Sequence, residues 1–322
     1  MKKWIRFELA IVLFAILISS FEACRKVKSE VSTEIADTTS STETITNITP
    51  KEKIKHSTEF KNYWYSGKAE ITSYKLNQAR YGELREGSSV LIYVTEPFAA
   101  EKQVKADENR PTNIPVLKLN STKNYLTGIY PYTIMTSSFL PVNEDSHALK
   151  VSFSAQEWCG QVYAQLNNKN NFEITSHSYF ESEGDQDFSL DKTTLEDEIW
   201  TKIRINPENL PTGNLKIIPS FEFIRLSHKE FKAYAAVTSL NVKNDTISTF
   251  TISYPKLERT LEIDFTTTFP HSIIGWTETS KSGFGSEAKL MTTTAVKIKT
   301  IITPYWQQNK NSDLFLRDSL GI

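Results

Sequence analysis

Along most of the chain, apolar and polar residues alternate. Leu261, Ile263 and Phe265 interleave with Glu262, Asp264 and Thr266. Val151, Phe153 and Ala155 interleave with Ser152, Ser154 and Gln156, and Phe172 and Ile174 with Glu173 and Thr175. Period two marks a strand with one buried face. Similar runs stand at 70–76, 88–95, 115–119, 130–139, 215–226, 246–254 and 292–303. Turn signals such as Asn167-Asn168, Asn244-Asp245 and Gly283-Phe284-Gly285 separate them. Only the stretch from Asp191 to Ile203 has a helical period: Leu195, Ile199 and Ile203 recur every fourth residue, acids come early in Glu196, Asp197 and Glu198, and Asn206-Pro207 stops it.

The pattern predicts one mainly β domain over 59–322, built on a single antiparallel sheet. A sheet of ten or more strands must protect its edges, and curling or closing is the usual solution. The expectation is therefore a β-barrel or strongly curved half-barrel with one helix, about 191–204, packed on it; two stacked sheets are the second choice.

The N-terminal part follows another pattern. Lys2, Lys3 and Arg6 precede an apolar run from Leu9 to Ile18, and Ala23-Cys24 follows, with Phe21 where an aliphatic residue is usual. The run is about half the ~20 residues of a spanning helix, so 1–23 reads as a lipoprotein signal peptide and Cys24 as the acylated (palmitate-bearing) new N-terminus. Residues 24–58, rich in Ser and Thr and poor in aromatics, read as a disordered tether. The chain has 2 Cys, so a lipidated Cys24 leaves Cys159 without an intramolecular partner. The expected location is the cell envelope, on the outer membrane facing the periplasm.

A net charge of −1 without a basic cluster offers no footprint for nucleic acid. There are 11 Gly and neither a phosphate-binding P-loop nor a GxSxG turn. Gly283-x-Gly285-x-x-Ala288 lies between two strand patterns and reads as a hairpin turn, not a dinucleotide loop. The 5 His are isolated from one another, so neither a metal nor a cofactor is expected.

Four groups are candidates for chemistry. A strand running straight through Gln156–Gln161 places Glu157, Cys159, Gln161, Tyr163 and Gln165 on one face and Trp158, Val162, Ala164 and Leu166 on the other. Facing an interior, the first set makes a polar ligand site; otherwise Cys159 is a small core residue beside a bulge at Gly160. His177 shares its face with Glu173, Thr175, Tyr179 and Glu181, which reads as a solvated strand face or an acid/base pair, and Glu157 with His177 is the catalytic pair to test. Glu181, Glu183, Asp185 and Asp187 alternate around Gly184 as calcium ligands do, but without a full loop they read as a solvated turn. Tyr63, Trp64 and Tyr65, with Trp158, are candidate walls for an apolar ligand, or core filler.

The Cys24 signal, the run Tyr63-Trp64-Tyr65-Ser66-Gly67-Lys68-Ala69-Glu70, the run Gln156-Glu157-Trp158-Cys159-Gly160 and the tail from Asp313 to Gly321 resemble a family of Bacteroidota lipoproteins of unknown function, often labelled "septum formation inhibitor Maf". That label does not suit the chain: Maf proteins are cytoplasmic α/β nucleotide pyrophosphatases with an early Ser-x-Ser-Pro-Arg-Arg motif, absent here. The resemblance implies a Gram-negative envelope and carries over no catalytic residue. The expected function is a membrane-anchored, non-catalytic lipoprotein that binds an apolar ligand or an envelope protein partner. A hydrolase of envelope glycans or lipids and a structural assembly factor are the alternatives.

Overall fold

The computed structural model describes residues 54–322. The expected signal peptide, Cys24 and nearly all of the expected tether lie outside the described residues. The described chain is held from its start: Ile54 N–H donates to Asn143 O (2.8 Å), and the His56 ring bonds Val142 O (2.8 Å).

Helix α1 (Thr58–Trp64), capped by Ser57, leads into β1 (Ala69–Arg80) and β2 (Glu83–Ala99). Then come β3 (Val104–Lys105), β4 (Ile114–Thr127), β5 (Tyr130–Pro141), β6 (Lys150–Glu157), β7 (Gly160–Asn168), β8 (Phe172–His177) and β9 (Gln186–Leu190). After β10 (Thr194–Leu195), helix α2 (Glu196–Ile205) leads to β11 (Gly213–Ile218) and helix α3 (Phe221–Leu226). The rest is β12 (Tyr234–Asn244), β13 (Ile247–Tyr254), β14 (Arg259–Thr266), β15 (Ile273–Ser282), β16 (Lys289–Thr303) and helix α4 (Phe315–Leu320).

All 16 strands join one sheet, in the order β10-β11-β12-β13-β14-β15-β16-β1-β2-β4-β5-β6-β7-β8-β9, with β3 on the end of β2. Every pairing is antiparallel except the two-residue β10–β11 contact. The chain starts in the middle of the sheet, steps outward to β9, resumes at the opposite edge and steps back until β16 meets β1.

The mainly β expectation holds, but the barrel or half-barrel does not form. The sheet is neither closed nor strongly curled, its edges β9 and β10 do not pair, and four helices are present among the described residues, not one. The edges are protected differently. Strand β10 is two residues long and runs into α2, while β9 turns exposed Gln186, Asp187 and Ser189 outward; a short strand and polar edge residues discourage further pairing without closure.

The alternating residues on one sheet face form the main core with α1, α2 and α3, including Tyr74, Leu91, Phe153, Phe172, Phe250, Ile263 and Trp276. On the other face a smaller cluster joins Ala69, Ile71 and Val94 to Leu320 of α4, and Ser73 Oγ donates to Leu320 O. The run 215–226 is half strand and half helix, because Ser220 Oγ caps Phe223 N–H (3.2 Å) and starts α3. Helix α2 begins later than expected because Thr194 and Leu195 pair with Ile217 and Ile218. Among the described residues no helix is long and apolar enough to cross a membrane.

Candidate functional site

The core is filled where the helices meet the sheet, and charge is part of the filling. Arg204 of α2 donates to both oxygens of Glu70 on β1 (2.7 and 2.6 Å), and Tyr63 Oη also donates to Glu70. Arg204 lies over the Trp64 and Tyr93 rings, 4.9 and 4.5 Å from their centroids. Tyr63 and Trp64 therefore pin α1 to α2 and β1 and do not line an open ligand cavity. Tyr65 is exposed, outside this cluster.

The acids expected in the first turn of α2 are buried. Glu196 accepts two bonds from Arg259 (2.5 and 2.6 Å) and one from Tyr254 Oη (2.7 Å), while Arg259 Nε donates to Glu278 (2.6 Å). Glu198 accepts from Ala148 N–H (2.8 Å) and bonds the His147 ring (2.9 Å). Asp197 accepts from Phe221 N–H (3.1 Å), and burial, reinforced by Glu196 and Glu222, pushes its carboxyl up to about 8. Burial works to raise Glu278 as well, but Arg259 and Lys123 outweigh it and hold that carboxylate below its ordinary value. A protonated Asp197 and an ionised Glu278 are an acid and base in name. The cavity they line with Lys123 and Arg259 is only about 50 Å³, room for a water or two and far below the ~300 Å³ of small-molecule sites.

Larger space opens beyond the end of β1. Arg80 pairs with Glu83 across a two-residue turn, Tyr81-Gly82, with φ of 55° and 75°. Such a turn matches the twist of a hairpin, but a left-handed conformation costs a non-glycine residue about 1–2 kcal/mol. It sets the Tyr81 ring over Arg80, 4.2 Å from the guanidinium carbon, and against Phe284 at 5.5 Å. Arg80 donates to Leu226 O (2.8 Å) and to the hydroxyls of Tyr81 and Tyr132 (3.2 Å each). Two cavities meet at this arginine, a polar one of about 360 Å³ towards β15 and an aromatic one of about 160 Å³ towards β6 and β7. They share Arg80, Tyr81, Leu226, His228 and Phe284, so the two cavities lie side by side around these residues as the two lobes of a candidate cleft.

The sequence candidates distribute around and away from it. Glu157 pairs with Gly160, so Trp158 and Cys159 form a hairpin turn and the strand does not run through. Glu157 thereby joins the face of Val162 and Ala164 and lines the aromatic lobe, accepting from Cys159 N–H (2.7 Å) and Tyr179 Oη (2.8 Å). Cys159 is not a core residue: it is exposed, and the Glu157 carboxylate pushes its thiol up, which disfavours the thiolate. Trp158 is 68% exposed at the turn. His177 pairs with Tyr163, on the sheet face opposite Glu157, and meets Asp185 at 3.3 Å. The Glu157–His177 pair does not form. In the acidic run, Glu183 is taken by Arg225 and His228, and Asp187 by Thr175. Among the described residues no group of three or more His, Cys, Asp and Glu could hold a metal.

Comparison with protein-family models, with curated proteins and with solved structures finds no match to this chain. The site rests on its own geometry. Sequence reasoning missed Arg80, Tyr81 and Phe284; the Tyr-Gly pair between two strand patterns was the local signal for the turn, and nothing local pointed to the cleft.

Proposed function

We propose that the protein is a non-catalytic binding lipoprotein of the cell envelope, anchored through Cys24, that takes its ligand in the two-lobed cleft around Arg80. The observation that carries this reading is the adjacency of two cavities that share Arg80, Tyr81, Leu226, His228 and Phe284. An apolar ligand inside the sheet has no room, so binding moves to the cleft. Hydrolysis finds no support in a Glu157 and His177 on opposite faces.

Native mass spectrometry of the lipidated protein, released from its own envelope in mild detergent, tests the reading. The parent should carry a non-covalent mass that collisional activation removes. Leu226→Trp, which places a ring at the junction of the lobes, should lack it. A parent bearing only polypeptide and anchor, or an adduct unchanged in Leu226→Trp, sinks the proposal.

A further inference from the structure

Charge accounting in the polar lobe is lopsided, while in the aromatic lobe Glu157 forms no ion pair among the described residues but feels the Arg80 charge. Each of the three carboxylates lining the polar lobe already holds a cation: Glu222 with Lys123 (2.8 Å), Glu258 with Lys281 (2.5 Å) and Glu278 with Arg259 (2.6 Å). Arg80, Lys229 and Lys256 line the same lobe and, among the described residues, hold no carboxylate. The contrast is sharpest for Arg80. Buried Arg204, Arg225 and Arg259 each grip a glutamate, whereas Arg80 has only tyrosine hydroxyls and a backbone carbonyl. Its buried Nε lacks a partner among the described residues, as does that of Arg225, so the contrast rests on the missing carboxylate.

We propose that the cleft holds an anionic group, a carboxylate or phosphate, on Arg80 in its polar lobe, while an attached ring or short apolar body lies in the aromatic lobe. This deepens the binding function proposed above and rests on it. A guanidinium taken partly out of water without a counter-charge is costly, and two tyrosine rings offset only part of that cost. A bound oxyanion at the guanidinium supplies a full counter-charge, a role for which arginine is suited. Lys229 and Lys256 add positive potential at the mouth. The body of the ligand meets Tyr81, Phe284 and Tyr179, rings that favour a flat or apolar group.

Displacement of the fluorescent dye anilinonaphthalene sulfonate from the folded chain tests this. Inorganic phosphate should displace the dye, and phenyl phosphate should do so about 10-fold better because its ring occupies the second lobe. Arg80→Gln should weaken both competitors by about 10-fold or more, whereas Phe284→Ala should weaken phenyl phosphate alone. If Arg80→Gln leaves displacement unchanged while Phe284→Ala weakens it, the anion site is wrong and the binding cleft survives. Dye binding indifferent to Arg80→Gln, Phe284→Ala and Leu226→Trp overturns both. Equal competition by the two phosphates removes the apolar body and overturns the proposal as stated. Should circular dichroism show Arg80→Gln unfolded, a Lys229→Gln/Lys256→Gln double variant decides: roughly threefold weaker phosphate displacement supports the site, and no change overturns it.

Discussion

At the scale of single residues, Asp197 carries a sharp pH signature. Its carboxyl is pushed from 3.8 to about 8 in the folded chain, chiefly by burial. In the unfolded chain it ionises near 4. The folded state therefore binds more protons between those values, and stability falls as pH rises through the window. Replacing Asp197 with Asn keeps an acceptor for Phe221 N–H and removes the titration. Urea unfolding free energies from pH 5 to 9 should show Asp197→Asn gaining on the parent as pH rises, by on the order of 2–5 kcal/mol at the alkaline end; parallel curves refute this. Glu278 acts in the opposite sense and lower down, its stabilisation lost only as pH falls below the ordinary carboxylate range. None of this was legible in the sequence. Glu196, Asp197 and Glu198 look like solvated acids favouring a helix N-terminus, and only tertiary partners such as Arg259, 63 residues away, bury them.

At the scale of elements, the sequence spoke most clearly where a strand has one wet and one dry face. Leu261, Ile263 and Phe265 are all buried as their alternation predicts. It misled where apolar residues crowd regardless of period: Phe221, Phe223 and Ile224 continue the strand pattern of Leu215 and Ile217, but Ser220 turns them into a helix. Glycine marks where strands approach most closely. Gly87 lies between Leu76 of β1 and Tyr125 of β4, and a Cβ there would stand 2.3 Å from Asn124 O. Because that neighbour is backbone, Gly87→Ala must separate two central strands. The expected cost is about 1–3 kcal/mol, read as a lower urea midpoint with an unchanged slope; an unaltered midpoint contradicts the close packing. Gly160 differs in that its added Cβ would meet the Tyr179 ring at 2.6 Å, so Gly160→Ala should disturb the aromatic lobe.

At the scale of the whole molecule, periodicity could show the presence of a sheet but not whether its edges meet. Closure depends on which strands are neighbours, and strand order is written in no local pattern. The cleft was hidden for the same reason: Arg80, Tyr132, Leu226 and Phe284 converge from separate hairpins and a helix. The expected anchor, by contrast, belongs to a stretch whose sequence signals are entirely local. Labelled-palmitate incorporation lost in Cys24→Ala would support that expectation, and equal labelling would remove it.

The central position of β1 between β2 and β16 bears on how the chain folds in time. Thr72 and Thr300, 228 residues apart, meet through their hydroxyls at 2.9 Å, so the middle of the sheet is its most non-local part. Topologies dominated by such distant pairings pay the entropy of closing long loops before gaining the contacts, and fold slowly. Synthesis of the early strands alone leaves β1 as an unsatisfied edge. A chain shortened to remove residues 289–322 should show no cooperative thermal transition, and full-length refolding should lag well behind that of a local meander of similar stability. Until β16 arrives, the exposed flank of β1 is a place for aggregation to begin.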